Sequence, residues 1–261
     1  MGVVNATPDS FSDGGDLATA EAGIAHGLAL VTQGAAIVDV GGESTRPGAE
    51  RVDARTEQHR VLPIIAALAE RGVRVSVDTM RASTARAAVA AGADTINDVS
   101  GGMADTDMLG VVAATGVDYV VMHWRAHSRL MQSQAVYADV VGEVIAELLA
   151  RRDAAIAAGV DASRIILDPG IGFSKLGPHN WSLLRELGRF NELGHRVLVG
   201  VSRKRFIGDL LDGRGPTERD AATAAISAWC AQHDIWGVRT HEVAMQRDAI
   251  LVGSRFIPDN G

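Results

Sequence analysis

The feature that most constrains the fold is a regular alternation of short β-branched runs with longer segments of helical period. This alternation is the pattern of βα units arranged around a parallel sheet. Eight runs recur along the 261 residues, and they predict strands at residues 1–5, 36–41, 73–78, 94–99, 118–123, 164–168, 196–200 and 236–240.

Segments of helical period separate these strands. In residues 19–34, Ile24, Leu28 and Val31 recur at positions i, i+4 and i+7, and Gly34 follows as a helix terminator. The same order of helix, glycine and strand returns in two later segments, residues 84–92 and 147–159. Each predicted strand is therefore followed by a helix that returns the chain to the start of the next strand.

Eight βα units fit a (β/α)8 barrel, which typically has about 250 residues. We therefore predict an α/β protein with a TIM barrel fold. It forms a single domain over residues 1–261, since no linker, charge block or change of composition divides the chain. A doubly wound open sheet is the alternative. The first turn, NATPDSFSDGG at residues 5–15, lacks the glycine pattern of a dinucleotide site, which disfavours that alternative.

Composition narrows the classes of partner. The formal net charge of −7 provides no basic field that would attract a nucleic acid. The single cysteine, Cys230, allows no intramolecular disulfide, which indicates a reducing compartment. No apolar run is long enough to cross a membrane. We expect a cytoplasmic protein that binds neither nucleic acid nor membrane.

Polar residues end nearly every predicted strand. In a (β/α)8 barrel, the carboxyl ends of the strands and the loops that follow them build the active site. Aspartates end or interrupt three apolar runs, where an unpaired buried carboxylate is costly, so each requires a ligand or a cationic partner. The polar residues that we expect at this end are Asn5, Asp39, Glu43, Asp78, Asn97, Asp98, His123, Asp168, Ser202, Lys204, Arg239 and His241.

Two of the loops after strands are long. The loop NATPDSFSDGG exceeds the usual βα turn, and Phe11 in its middle either closes over a flat ligand or packs on the barrel rim. In the second loop, GGESTRPGAER at residues 41–51, Arg46 precedes Pro47 in a stiff presentation that suits a carboxylate or phosphate. An ordinary solvated turn would have the same composition.

Two pairs of polar residues have alternative interpretations. Asp168 and Lys204 form either a structural ion pair or a pair of ligands for a heteroaromatic ring that offers donors and acceptors. Arg239 and His241 lie two residues apart just before the last predicted helix, whose N-terminus adds unpaired N–H groups. These features together indicate an anion site.

The motifs along the chain are specific enough to show a family resemblance. They are NATPDSFSDGG, VDVGGESTRPGA, VSVDTMR, INDVSGG, MHWR, LDPGIGFSK, VGVSRKRFIG and GVRTHEV. In this order they resemble the dihydropteroate synthases of the pterin-binding family. The resemblance implies a (β/α)8 barrel and a transferase of folate biosynthesis. That enzyme joins 6-hydroxymethyl-7,8-dihydropterin diphosphate to p-aminobenzoate, giving 7,8-dihydropteroate and pyrophosphate.

The resemblance also implies roles for residues at matching positions. It implies Mg²⁺ near Asn5, and catalytic roles for Asp78, Lys204 and Arg239. The residues that it assigns to the pterin diphosphate are Asp78, Asn97, Asp168, Lys204, Arg239 and His241. Those that it assigns to the p-aminobenzoate pocket, where sulfonamides also bind in this family, are Phe11, Ser44, Thr45, Arg46, Pro47, Phe173 and Ser202. The family further implies a homodimer that packs through the last helices, and Trp229 and Trp236 are compatible with it.

Two other functions fit parts of the pattern. A pterin-binding methyltransferase that uses a corrinoid partner would share the NDVSG and DPG regions, but its reaction expels no pyrophosphate and needs no anion site. A catalytically silent relative would bind a pterin or a protein at the same end of the barrel, and it would not need Asp78, Lys204 or Arg239. The presence of all three residues favours the synthase.

Overall fold

The computed structural model describes residues 1–7, 20–43, 51–127 and 131–256. Every predicted run contains a strand, although each strand is shorter than predicted. The strands are Gly2–Asn5 (β1), Val38–Gly41 (β2), Val75–Asp78 (β3), Thr95–Asp98 (β4), Asp118–Met122 (β5), Ile165–Asp168 (β6), Arg196–Val199 (β7) and Gly237–Val238 (β8).

The strands pair in chain order, and every pair is parallel. A parallel bridge between Gly2 and Thr240 brings the chain after β8 alongside β1. The amide of Val3 donates to the carbonyl of Thr240 at 3.0 Å, and the amide of Thr240 donates to the carbonyl of Met1 at 3.0 Å. The sheet therefore closes on itself, which confirms the predicted barrel and excludes the doubly wound alternative.

Helices lie between successive strands. Within the described ranges, none combines the length and the apolar composition that a bilayer crossing requires. The helices are Ala20–Thr32 (α1), Ala54–Ala69 (α2), Ala82–Ala90 (α3), Met108–Thr115 (α4), Val140–Ala157 (α5), Gly177–Arg185 (α6), Leu187–Asn191 (α7), Arg205–Leu210 (α8), Asp220–Gln232 (α9) and Ala244–Gly253 (α10).

The buried face of α1 differs from the face that the apolar periodicity predicts. Gly23, Gly27 and Leu30 are buried in α1. A Cβ atom on Gly27 would lie 2.8 Å from Leu68 in α2, so the two helices approach too closely for a side chain at that position. The predicted face, which is only partly buried, consists of Ile24, Leu28 and Val31.

Alternate strand residues point into the barrel interior, and these inward side chains are of two kinds, apolar and polar. Val120, Ile166 and Leu198 form an apolar cluster on β5, β6 and β7. Polar side chains occupy the opposite side of the interior, on β2, β3 and β4: Asp39, Ser76, Asp78 and Asn97 are all buried. The barrel thus presents buried polar groups at its mouth, defined here as the carboxyl ends of the strands and the loops that follow them.

An ion cluster lies at the opposite end of the barrel. Asp118, at the start of β5, accepts hydrogen bonds from the guanidinium of Arg196 at 2.8 and 3.0 Å. Arg164 and Arg74 lie 3.4 and 3.6 Å from the same carboxylate. Because the active sites of such barrels lie at the mouth, we interpret this cluster as a structural one.

Candidate active site

Arg239 connects three strands at the mouth of the barrel. Its Nε donates to Asp39 Oδ2 on β2 at 2.6 Å, and its Nη2 donates to Asp78 Oδ2 on β3 at 2.7 Å. The amide of Asn97 on β4 donates to the same Asp39 oxygen at 3.0 Å. Asp39 is therefore the shared acceptor that orients both Arg239 and Asn97.

Asp78 is buried close to several other carboxylates. Burial raises the pKa of Asp78 to about 7, against the attraction of Arg239, and the negative charge of Asp39 adds to the increase. A carboxylate of raised pKa at a strand end in a barrel mouth is a candidate for chemistry. The geometry of Asp78 is fixed by its bond to Arg239.

Asp168 ends β6 on the far side of the mouth. Its Oδ1 accepts the amide of Gly170 at 2.7 Å, which turns the carboxylate back over its own loop. Burial raises the pKa of Asp168, while Lys204, Gly170, Lys175 and Arg239 lower it. Asp168 is thus a buried hydrogen-bond acceptor within the field of three cations.

Lys204 is the residue just before α8, and its side chain extends toward the loop after β6. Its ammonium donates to the carbonyl of Ile171 and lies 4.6 Å from the centroid of the Phe173 ring. Burial lowers the pKa of Lys204 to about 8, although Asp168 opposes the change. The ammonium is consequently held between an aromatic face, a carbonyl and a nearby carboxylate.

Gly200, the residue after β7, lies beside both cationic side chains, Arg239 and Lys204. A Cβ atom at this position would lie 3.7 Å from Arg239 Cβ and 3.9 Å from Lys204 Nζ. The set of predicted pterin ligands that the structure brings to one mouth, through these contacts, is Asp78, Asn97, Asp168, Lys204 and Arg239. Their individual roles stay predictions.

Ser202 and His241 meet beside this group. The Ser202 hydroxyl lies 2.9 Å from His241 Nδ1 and accepts the backbone amide of His241 at 3.2 Å. The hydroxyl of Thr240, the residue between Arg239 and His241, is 3.3 Å from the same oxygen. The segment after β8 is therefore tied to the loop after β7.

Other polar residues expected at the mouth do not present free groups there. Asp98 turns outward, where Oδ1 accepts from the amide and hydroxyl of Ser100 at 2.8 and 2.7 Å, and Oδ2 accepts from Tyr119 at 3.0 Å. The expectation for Asp98 was wrong because consecutive strand residues point to opposite faces, and Asn97 already points inward. Glu43 instead accepts from Arg81 at 2.7 Å.

Glu57 is a supporting group that the sequence alone does not indicate. Glu57, in the first turn of α2, is buried and accepts the hydroxyls of Thr79 and Thr84 at 2.7 and 2.8 Å. Arg81 joins Glu57 to Glu43, with its Nη1 3.0 Å from Glu57. An acidic residue in a first helical turn is so common that only the packing reveals its role behind Asp78.

The remaining predicted site residues divide into two groups. Asn5 ends β1 and pairs with Gly41, and Phe173 lies over Lys204. The residues that lie outside the described ranges are Phe11, Ser44, Thr45, Arg46 and Pro47.

A profile of the family described as "Pterin binding enzyme" matches residues 1–241. The chain belongs to this pterin-binding enzyme family. It is 52% identical to the dihydropteroate synthase of Mycobacterium leprae, over 97% of this chain and 91% of that protein.

Solved structures of this pterin-binding family agree with the fold. The dihydropteroate synthase of Xanthomonas albilineans with 4-aminobenzoic acid is 44% identical and superposes with a TM-score of 0.92, covering 99% of this chain and 93% of that one. The same enzyme in complex with 7,8-dihydropteroate is 42% identical with a TM-score of 0.89, over 99% and 94% of the two chains.

Proposed function

We propose that this chain is a dihydropteroate synthase, a transferase of folate biosynthesis. It condenses 6-hydroxymethyl-7,8-dihydropterin diphosphate with p-aminobenzoate and releases pyrophosphate. The observation that carries the proposal is the convergence of Asn97, Asp168, Lys204 and the Arg239–Asp78 pair at one barrel mouth. Relatives of the same name, similar over nearly the whole chain, support it.

Pterin recognition follows from the donors and acceptors of these groups. A pterin ring carries N–H donors on one edge and nitrogen and oxygen acceptors on others. The Asp168 carboxylate accepts from the donor edge, while the Lys204 ammonium and the Asn97 amide supply complementary groups. Asn97 and Asp168 are buried and Lys204 is partly buried, so a ligand without matching donors and acceptors would leave these side chains unpaired.

Catalysis requires stabilisation of charge that develops as the carbon–oxygen bond breaks. Loss of pyrophosphate leaves positive charge on the pterin methylene, and in this proposal the ionised Asp78 carboxylate stabilises it. Arg239, together with the anion site before α10, offsets negative charge on the leaving oxygens. The amine of p-aminobenzoate then forms the new carbon–nitrogen bond and loses a proton. No covalent enzyme intermediate is needed.

Magnesium is the expected cofactor, with Asn5 as its protein ligand. Within the described ranges, no group of three or more His, Cys, Asp or Glu side chains has the arrangement of a metal site. Asn5 nevertheless fits, because its amide oxygen is a hard donor and Mg²⁺ commonly takes most of its other ligands from substrate phosphates and water. When bound, the ion would neutralise charge on the diphosphate, and Asn5 would hold it at the end of β1.

The p-aminobenzoate pocket would lie between the loops after β6 and β7. Phe173 supplies an aromatic face there, and Ser202 supplies a hydroxyl that is already oriented by His241. The arylamine would approach the pterin methylene from this side. Changing Ser202 to alanine is expected to raise the KM for p-aminobenzoate more than the KM for the pterin substrate.

We also propose a homodimer whose interface includes α6, α8 and α9. A largely apolar groove of about 360 Å³ lies between α6, α8 and α9, with Trp181, Ile207 and Trp229 among its lining residues. Trp229 remains 40% exposed, while Trp236 lies under the guanidinium of Arg196. Sedimentation velocity of the wild type and Trp229→Glu tests the interface: the variant is expected to sediment as a monomer.

The deciding experiment for the function is a measurement of pyrophosphate and dihydropteroate from the two substrates with Mg²⁺. The proposal predicts equal amounts of both products. Transfer of a methyl group from a methylated folate, without pyrophosphate release, would favour the methyltransferase instead. Binding of the pterin without any turnover would favour the silent relative.

A further inference from the structure

The chain uses lysine at only two positions. Of its 25 lysines and arginines, Lys175 and Lys204 are the lysines, and the rest are arginines. Both lysines lie near Asp168, whose pKa each of them lowers. Arginine presents a planar fork, whereas lysine presents a compact ammonium with three donors. The selective use of lysine indicates that both positions require a small tetrahedral cation.

The contacts of Lys175 match the three donors of an ammonium. Its side chain is buried, with 3% of the residue exposed. Its Nζ lies 2.9 Å from His123 Nδ1, 3.0 Å from the carbonyl of Gly170 and 3.0 Å from the carbonyl of Phe173. Carbonyl oxygens only accept, so two of the three contacts require protons on Lys175 regardless of the state of His123.

The state of His123 is fixed from its other side. His123 Nε2 lies 2.9 Å from Glu147 Oε2, and Arg125 also bonds to Glu147. Although burial opposes the change, hydrogen bonds from His123 and Arg125 lower the pKa of Glu147 to about 2. Burial, with the charge of Lys175, lowers the pKa of His123 to about 4. A neutral imidazole that donates to an ionised Glu147 has a bare Nδ1, so the third contact of Lys175 also requires a donated proton.

Hydrogen bonding and burial therefore have opposite effects on the protonation of Lys175: the hydrogen bonds favour the ammonium, and burial favours the neutral amine. Burial lowers the pKa of Lys175 well below its ordinary value, while Asp168 raises it. A neutral amine has only two donors and would leave one of the three buried acceptors unpaired. We infer from this geometry that the ammonium form is the one that the folded loop requires.

The loop that Lys175 holds is the one that presents the pterin ligands. Three of its residues have left-handed backbone conformations: Gly170 at φ 65°, Gly172 at φ 84° and Ser174 at φ 49°. Ser174 is strained, since a residue with a side chain rarely adopts this conformation. The amide of Gly170 orients Asp168, and the carbonyl of Ile171 accepts from Lys204. External contacts must therefore hold the loop in this shape.

We propose that Lys175 is a positioning residue: its ammonium, supported by His123 and Glu147, fixes the loop from Gly170 to Phe173 so that Asp168 and Lys204 face the pterin. This inference rests on the proposed function for the identity of the ligand. The ammonium of Lys175 is occupied by its contacts with the two carbonyls and His123.

The first test uses the small number of lysines. With lysine labelled at Cε and Nζ, the side-chain NMR spectrum contains two lysine signals, which Lys175→Met assigns. The inference predicts that Lys175 is an ammonium at neutral pH, with slow proton exchange. A neutral amine at that pH would overturn it. This measurement needs only the wild-type protein and the assignment.

The second test measures pterin binding by calorimetry, with 6-hydroxymethyl-7,8-dihydropterin diphosphate and Mg²⁺ as the probe. Lys175→Met is expected to weaken binding by about tenfold or more, as the loss of charged hydrogen bonds implies. Arg196→Met, which removes a cation from the opposite end of the barrel, is the matched control and is expected to leave the affinity unchanged. Equal affinities of the two variants would contradict the inference.

A pair of His123 variants covers the case in which Lys175→Met does not fold. The amide oxygen of His123→Asn replaces Nδ1 as an acceptor for Lys175, whereas His123→Leu provides none. The inference predicts tighter pterin binding by His123→Asn than by His123→Leu. Equal binding would show that the contact with Lys175 has no positioning role.

The pH dependence separates positioning from simple loss of stability. Asp168 is faced by Lys175 from its own loop, by Lys204 from the residue before α8 and by Arg239 from the residue after β8. Removing Lys175 raises the pKa of Asp168, so Lys175→Met should lose pterin affinity at a higher pH than the wild type as the solution is acidified. A uniform loss at every pH indicates a merely structural role. If the wild type neither binds the pterin nor releases pyrophosphate, the proposed function fails and not this inference.

Discussion

Arg239 and Asp78 are joined across the barrel mouth by a 2.7 Å hydrogen bond between Nη2 and Oδ2, from the chain after β8 to the end of β3. The pair is oriented before any ligand arrives, because Asp39 holds Nε of the same guanidinium. We propose that a diphosphate would compete with these two carboxylates for Arg239, and that its binding would free the Asp78 carboxylate toward the pterin.

The first prediction concerns the charge of Asp78. Asp78→Asn keeps a hydrogen-bond acceptor for Arg239 but removes the negative charge that stabilises the developing cation. We expect kcat to fall by about 100-fold or more, with a smaller effect on pterin affinity. Single-turnover pyrophosphate release measures the change. An unchanged kcat would remove the cation-stabilising role.

The second prediction follows from the pKa of Asp78, which burial raises to about 7 in the free protein. If the ionised form is the active one, kcat/KM should rise as the pH increases through about 7. The acidic limb of the profile should be absent in Asp78→Asn. A wild-type limb near the ordinary carboxyl value, common to both proteins, would show that another group titrates.

The same shift predicts an effect on stability. The folded-state pKa of Asp78 lies above its ordinary value of 3.8, so the folded protein binds this proton more tightly than the unfolded chain. The stability that the protonated Asp78 contributes is fully present below pH 3.8, and it is lost as the pH rises through about 7. Asp78→Asn should therefore be more stable than the wild type above pH 7, by up to about 4 kcal/mol. Denaturant unfolding at acidic and alkaline pH measures the difference, which should vanish in acid.

The fourth prediction concerns Lys204, whose pKa burial lowers to about 8. The ammonium deprotonates as pH rises through that value, so pterin affinity should decline above about pH 8. Lys204→Met should bind the pterin weakly at every pH and lose this alkaline limb. Calorimetric titrations across the range provide the comparison, and a limb that persists in the variant would assign it to a different group.

The fifth prediction concerns the ion cluster at the opposite end of the barrel, which we expect to affect stability and not turnover. Asp118 is nearly buried and accepts two hydrogen bonds from Arg196. Asp118→Ala leaves that guanidinium without its partner and should lower the free energy of unfolding by about 2–4 kcal/mol. Pyrophosphate release per folded molecule should stay at the wild-type rate. Reduced turnover with unchanged stability would place the cluster in the active site.

The sequence predicts the barrel well because its strongest signals are repeated. Eight β-branched runs, each followed by a helical period, agree on one topology, and errors of a residue or two at each strand end do not change it. The site is predicted for a related reason. The mouth collects the last inward residue of each strand, so Asp78, Asn97 and Asp168 could be placed there from strand ends alone.

Three features could not be predicted because they depend on side-chain direction or distant packing. Asp98 lies next to Asn97 in sequence, yet a one-residue difference in a strand reverses the face. The contact between Lys175 and His123 joins residues 52 positions apart, and neither local pattern indicates it. The buried glycine face of α1 depends in the same way on how closely α2 packs against it.

The most direct test of the account is a crystal structure with the pterin diphosphate bound. The account predicts one ring that contacts Asn97, Asp168 and Lys204 together, with the diphosphate beside Arg239. A ring bound elsewhere, or one that reaches only a single member of this set, would contradict the claim that these strand ends form one pterin site.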